Sequence, residues 1–368
     1  MKYPSLWKSN IAADYKFGDG WVATIELLYS KDINAIYHDN IGLYRTEQFV
    51  NDGGAGNARP YYNGYYSDRE GNQKAANHVV MLRNTSKGHS LYTTFQLQKN
   101  FVDGILKGLY LNGSYSFGQS RGVTDGTSSV ATSAWKYRAA LDGNAEEVGY
   151  TAGSFDGRLL LSASYTANWS KYAATSFGLI YQRYRPFRYS YCYNGDANGD
   201  SQFSNDLMYI PANFDEVKDH LLPGDFDSQE DAWKAMNAFI EQDPYLSKHR
   251  GEYAERNGAV APFANQLDLS VSHDIKIYQK NGRSHTLRFS FNIANFLNLL
   301  NRNWGVVQTT VLGNQQYQFL TIPKGQGPSA ANNYTLKYTM AKDLDETFKD
   351  NLNDVSRWQM QFGIKYIF

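Results

Sequence analysis

In Trp358-Gln359-Met360-Gln361-Phe362-Gly363-Ile364-Lys365-Tyr366-Ile367-Phe368 every even-numbered residue is apolar, and Arg357, Gln359, Gln361, Gly363 and Lys365 fall between them. Successive side chains of a strand point to opposite faces, so this period of two predicts a strand with one apolar and one polar face. The same period recurs upstream. Leu287, Phe289, Phe291 and Ile293 alternate with Thr286, Arg288, Ser290 and Asn292. Leu267, Leu269, Val271, Ile275 and Ile277 oppose Gln266, Asp268, Ser270, Ser272, Asp274 and Lys276. Leu159, Leu161, Ala163, Tyr165 and Trp169 oppose Arg158, Ser162, Ser164, Thr166 and Asn168, with Leu160 as the exception. Segments 109–117, 7–17 and 21–30 read alike.

Composition narrows the class. The chain has 368 residues and balances 36 Lys+Arg against 36 Asp+Glu, so it has no general attraction for nucleic acid or acidic lipid. A mean hydropathy of −0.56 sits beside 15% aromatic residues, which calls for a special use of the aromatics. No run approaches the ~18–20 apolar residues of a spanning helix. Met1 to Ser30 shows no basic, apolar and small-residue succession of a secretory signal. The single cysteine, Cys192, excludes an internal disulfide framework and a thiolate-rich metal site. A β-barrel, which balances its hydropathy by alternation, is the class left standing.

The connections separate a membrane barrel from a soluble sandwich. Short turns at Gly18-Asp19-Gly20, Val102 to Gly108, Lys171 to Ala174 and Lys280-Asn281-Gly282 alternate with long polar segments at about 38–88, 121–155, 193–262 and 298–354. Tight periplasmic turns and long extracellular loops are the outer-membrane pattern, whereas compact soluble domains rarely keep structureless loops above ~15 residues. The count is about nine strands, or about eleven if 303–312 and 316–322 add a pair. Either number is odd, and an all-antiparallel closed barrel of bacterial type needs an even number. The expected fold is therefore all-β: an antiparallel transmembrane outer-membrane β-barrel, present in part. Inside the third long segment, Ser228 and Asp231 form a weak capping box before Ala232, Trp233, Met236, Phe239 and Ile240, predicting one short loop helix near 228–242.

Several stretches resemble a known family. Tyr245-Leu246-Ser247-Lys248-His249-Arg250-Gly251, Arg256-Asn257-Gly258, Pro262-Phe263 and Leu267-Asp268-Leu269 look like the last quarter of Oar-like TonB-dependent outer-membrane receptors. So do Asn205-Asp206-Leu207-Met208-Tyr209-Ile210-Pro211, the stretch Asn292 to Asn301, and the closing Ser356 to Phe368. The resemblance covers roughly 190–368, and 1–190 matches in barrel character alone. It implies that 1–368 is the C-terminal part of a 22-stranded barrel, with signal peptide, carboxypeptidase-like domain, TonB box and plug belonging upstream. It also implies a place in the cell outer membrane, with lipopolysaccharide, the barrel-assembly machinery and the TonB complex as partners. The implied function is active uptake of an unidentified small-molecule, peptide or glycan ligand. A passive porin-like channel and a secreted all-β adhesin or glycan-binding module are the alternatives.

Four groups of residues carry candidate chemistry. In Asn194-Gly195-Asp196-Ala197-Asn198-Gly199-Asp200, oxygen side chains at Asp196, Asn198 and Asp200 follow the spacing of the first half of a calcium loop. Position six is Ser201 and position twelve is Leu207, so the late carboxylate is Asp206 at position eleven. Calcium (Ca2+) is the one cofactor this suggests, with an Asx-rich surface turn as the plain alternative. Trp358, Phe362, Tyr366 and Phe368 resemble the signal by which assembly machinery captures a terminal strand. The tyrosine tracts Tyr61 to Tyr66 and Tyr181 to Tyr193 serve either loop packing and an aromatic belt or a peptide- or glycan-binding face. Arg183, Arg185 and Arg188 form a rim cluster, solvated or facing acidic lipopolysaccharide groups. Asp268, Ser270, Ser272, Asp274, Arg288 and Asn292 are expected to line the lumen. No G-x-S-x-G, H-E-x-x-H or P-loop is present, and the chain is not expected to be an enzyme.

Overall fold

The computed structural model describes residues 1–50, 59–66, 78–126, 128–278, 284–312, 316–328, 334–340 and 346–368. Nine long strands form one antiparallel sheet in sequence order. They are β1 (Leu6–Phe17), β2 (Trp21–Asp32), β3 (His89–Asn100), β4 (Leu109–Gly122), β5 (Arg158–Ser170), β6 (Ala173–Tyr184), β7 (Ala264–Tyr278), β8 (Ser284–Ala294) and β9 (Gln359–Ile367). A tenth, two-residue strand, Gly149–Tyr150, pairs with the end of β4. Eight of the nine are 11 to 15 residues long, against ~5–6 for strands of ordinary globular sheets. Because every pair is antiparallel, β1 and β9 run in the same direction, and among the described residues the sheet stays open between them. The antiparallel sheet expected of a partial barrel is therefore present as an open wall.

Register keeps the two faces separate across the whole wall. Phe177 stands opposite Tyr165 and Val271, Leu179 opposite Ala163 and Leu269, and Phe291 opposite Val271 and Phe362. A slip of one residue would mix the faces, so the alternation itself specifies the pairing. The opposite face is a polar lattice. Asp14 accepts from Thr24 at 2.5 Å, Ser30 and Ser90 meet at 2.6 Å, Thr166 and Ser176 at 2.9 Å, and Ser270 donates to Asn292 at 2.7 Å. Arg288 grips Asp274 with two hydrogen bonds of 2.6 and 2.8 Å. Leu160 and Ile180 are apolar intrusions on this face.

The three described short turns lie at one end of the wall, and the fourth expected turn, at 280–282, lies outside the described residues. The long connections all lie at the other end and fold into a cap. Its sheets are small: Leu43–Val50 pairs with Arg59–Tyr65, and Arg188–Tyr191 pairs with both Ala259–Val260 and Gln316–Tyr317. The extra strand pair expected at 303–312 and 316–322 does not form. Gln308–Thr310 instead pairs with Phe348–Asp350, and Gln316–Tyr317 lies parallel to Ser190 and Tyr191. These segments are too short to cross anything, and they use their backbone bonds inside the cap.

Burial is inverted relative to an ordinary globular protein. The main hydrophobic cluster, including Tyr189, Tyr191, Met236, Phe239, Tyr317 and Phe319, is drawn entirely from the cap segments between wall strands. Phe239 and Phe319 have ring centroids 5.1 Å apart, and Tyr189 and Tyr191 are at 5.4 Å. The helix Gln229–Gln242 packs here as its spacing predicts. Ser228 caps it by accepting from the Asp231 amide at 3.0 Å, and Ala232, Met236, Phe239 and Ile240 are buried. Two further short helices, Ala131–Lys136 and Phe296–Leu300, carry no comparable signal in sequence. Just beyond the long helix, buried Asp243 accepts from the Tyr191 hydroxyl (2.6 Å), the Thr347 hydroxyl (2.7 Å) and the amides of Tyr245 and Leu246 (2.9 and 2.8 Å). Four donors on one carboxylate join three parts of the cap and allow the charge to be buried.

Truncating Phe239 to Ala removes a fully buried ring from this cluster and leaves a cavity. The cap should lose about 3–5 kcal/mol. Hydrogen exchange on the intact chain should show the loss as faster exchange in 185–263, with wall amides unchanged.

Candidate functional site

The segment 194–206 is built into the cap as a closed loop. Its two flanks are pinned: Asn194 bridges to Thr321, Cys192 to Leu207, and Asp206 to Ala140. Burial pushes the Cys192 thiol well above its ordinary range, so it is an inert part of this framework. Asp196 organises the first turn by accepting from the amides of Asn198 (3.1 Å), Gly199 (2.6 Å) and Ser201 (2.7 Å). Gly199 has φ +82°, and a Cβ there would lie 2.0 Å from the Tyr62 carbonyl oxygen, so only glycine fits. That close approach lets the Tyr62 amide donate to the Asn198 carbonyl at 2.7 Å, stitching the loop to the Arg59–Tyr65 strand.

Folding the loop brings three carboxylates together. Oxygens of Asp196, Asp200 and Asp206 lie within 4.8 Å of one another, and Asp200 and Asp206 are fully buried. Asp206 returns to the start of the loop and accepts from the Ala197 amide at 2.8 Å. On its other side it meets the buried Arg59 guanidinium at 3.2 Å. Arg59 also donates to the Leu207 carbonyl and stacks over Tyr193 and Tyr253. Asp200 Oδ2 has no hydrogen-bond partner, nor does Asn205 Oδ1, although the Asn205 amide lies against the Asp200 carboxylate. A Cβ placed on Gly143 would lie 3.6 Å from Asp200 Oδ2 and 3.4 Å from Trp135 Nε1, so Gly143 is close to both the carboxylate and the buried indole.

Burial dominates the electrostatics. It pushes the Asp200 carboxyl up to about 7, reinforced by the neighbouring Asp196 charge, and it holds Asp206 well above the usual carboxylate range despite Arg59. Asp196 is raised by burial and held back by its backbone donors. Three acids competing for one dry space is an arrangement that stabilises a cation and resists being left without one.

Asp196, Asp200 and Asp206, three of the four expected ligands, thus converge. Asn198 uses its side-chain oxygen to accept from the Asp200 amide at 2.9 Å, an Asx turn, and its side chain lies against the Asp200 carboxylate. The Asn205 side chain lies beside the same carboxylate. Arg59 and Trp135 arrive from segments 135 and 65 residues away in sequence from the loop's Asn194 and Asp200, which is why no local spacing announces them.

The other candidates also receive places. Trp358, Phe362, Tyr366 and Phe368 share the exposed apolar face at the edge strand β9, with Phe362 65% exposed. Within the tyrosine tracts Tyr62, Tyr189, Tyr191 and Tyr193 are fully buried and pack the cap, whereas Tyr66 is 50% exposed. The expected arginine rim is also corrected. Arg188 is buried, donates to the carbonyls of Ser154 (2.8 Å) and Asn257 (3.2 Å) and stacks over Tyr150. Arg185 pairs with Asp156 at 3.1 Å and shares the Phe263 ring with Arg183, leaving only Arg183 exposed. These guanidiniums close the gap between cap and wall, where buried backbone carbonyls need donors. Ser270 pairs with Asn292 and Asp274 with Arg288 on the polar face, and Asp268 accepts from the Asn295 amide at 2.8 Å. Ser272 stands opposite Ser176 and Ser290.

No family model, curated protein or solved structure matches the chain.

Replacing Arg59 with Leu removes the buried cation from Asp206 while keeping apolar bulk against Tyr193. Breaking a buried pair in this way costs about 3–5 kcal/mol. Thermal unfolding of the intact chain in chelator should show the cap transition lowered by that amount, and Asp206→Asn in the Arg59→Leu background should recover part of it.

Proposed function

We propose that the chain is the C-terminal part of the barrel of a TonB-dependent outer-membrane receptor. In this reading it supplies membrane wall, lumen lining and ligand-capture loops for active uptake. The observation that carries the reading is the inversion of burial. Many apolar residues of the wall are exposed, among them Ile11 at 69%, Trp169 at 68% and Ile364 at 63%, while the loops contain the packed core. Soluble proteins rarely expose contiguous apolar patches larger than a few hundred Å². Lipid is the solvent such an apolar surface suits, and long antiparallel strands satisfy their backbone groups within it.

The polar face then becomes the lumen side, where Asp268, Ser270, Ser272, Asp274, Arg288 and Asn292 meet water or a passing ligand. The cap lies on the extracellular side, consistent with short periplasmic turns. The sequence resemblance over 190–368 supports the receptor branch over a passive channel. Under this reading the missing strands, the plug and the TonB box come from preceding sequence. Trp358, Phe362, Tyr366 and Phe368, displayed along the free edge of β9, are suited to capture by assembly machinery that adds strands to an open edge.

Two measurements test the membrane assignment. The protein should require detergent, and monodisperse protein in plain buffer would favour the adhesin alternative. Within the assembled receptor, Leu179→Arg on the apolar face should destabilise the membrane-inserted form by about 2–4 kcal/mol, whereas Ser272→Arg on the polar face should be far milder. Equal penalties on the two faces would sink the orientation. An in-frame upstream sequence without plug or TonB box would turn the reading to the passive channel.

A further inference from the structure

We propose that Asp196, Asp200, Asp206 and Asn205 bind one calcium ion that staples three of the four cap loops together. This stands apart from the receptor assignment, since it concerns the cap alone. Among the described residues, these three carboxylates are the one group of acidic, histidine or cysteine side chains placed to share an ion. All the donors are oxygens, which selects a hard cation over zinc or copper. Two ligands on opposite sides of one calcium stand at most about 5 Å apart. The three carboxylate oxygens, within 4.8 Å of one another, fit that span, which is generous for the smaller magnesium shell.

Two buried atoms point to the ion independently of the acidic count. Asp200 Oδ2 and Asn205 Oδ1 have no partner, and each belongs to a residue that is at most 2% exposed. A buried acceptor without a donor costs about 1–3 kcal/mol, more when charged, and an ion between the two removes both deficits. The charges agree. Among the described residues Arg59 is the cation hydrogen-bonded to the cluster, so three ionised carboxylates and one guanidinium leave a charge that a divalent ion neutralises.

The position of the cluster gives the ion its role. The Asp loop belongs to the third long connection, Tyr62 and Arg59 to the first, and Gly143 with Trp135 to the second. Each of these touches the cluster or its backbone. Calcium would therefore control whether three connections share one arrangement. An affinity in the ~0.1–1 mM range is expected, as for extracellular calcium modules.

The test uses the intact chain in detergent with terbium as a luminescent calcium substitute. Excitation of tryptophan should sensitise terbium emission, calcium should compete it away with a midpoint of ~0.1–1 mM, and Trp135→Phe should cut the emission severalfold without changing calcium affinity. Calcium should also raise the melting temperature and slow hydrogen exchange at 194–206, with chelator reversing both. The double variant Asp200→Asn with Asp206→Asn keeps the side-chain shapes and removes the charge repulsion, so it should fold in chelator. Its calcium response should be at least tenfold weaker. A wild-type chain that shows neither terbium emission nor a calcium-dependent shift at several millimolar would overturn the site. So would an unchanged response in the folded double variant.

Discussion

Continuous antiparallel register over nine strands is the constraint on which the rest of the structure depends. Each strand is bonded to its chain neighbours, so every connection must return to the end of the sheet from which it left. Three described turns are short, which forces all the bulk of the chain to the opposite end. The same register carries the alternation of each strand into the next, giving a wall with one apolar and one polar surface. Division of the protein into wall and cap, and the inverted burial that distinguishes them, are consequences of that one pattern.

The cap answers a different problem. Long connections would normally be left solvated, because a buried loop must find partners for its backbone groups. Here they are satisfied by side chains placed for the purpose. Arg138 donates to carbonyls of Val123, Gly143 and Ala145, Arg256 to those of Gly122 and Val123, and Arg188 to those of Ser154 and Asn257. Burial lowers the affinity of Arg138 for its proton to about 10, still far above neutral pH, so it remains a charged donor. Tyrosines complete the interior because each combines a large apolar ring with a hydroxyl that can reach a buried acceptor, as Tyr191 does with Asp243 and Tyr62 with Asp142 at 2.7 Å. The buried tyrosines thus serve packing in a region with little regular structure.

The carboxylate cluster joins the two themes. It sits where the closed loop at 194–206 touches the Arg59–Tyr65 strand and the Trp135–Gly143 segment, and its geometry depends on their packing. Arg59 is both a neutralising charge and a prop between two aromatic rings. The loop's own amides bond all three carboxylates, with Gln202 donating to Asp200 and Ala197 to Asp206, and Asp206 is fixed further by Arg59 from outside the loop.

By itself the sequence determined the features whose cause is local. Strand alternation is written at i and i+2, the helix start at Ser228 and Asp231, and the Asp196, Asn198, Asp200 spacing within five residues. All three could be read because the chemistry responsible lies within one turn or one strand. The wall's strand count and the short turns followed in the same way. Only the tertiary structure decided that Arg59 neutralises Asp206, that Arg188 is buried, and that 308–322 serves the cap instead of the wall. Each of these depends on segments tens to more than a hundred residues apart being packed into one dry space. Hydrogen-bond satisfaction and charge neutralisation are enforced there by burial, and no window of sequence records which groups will be buried together.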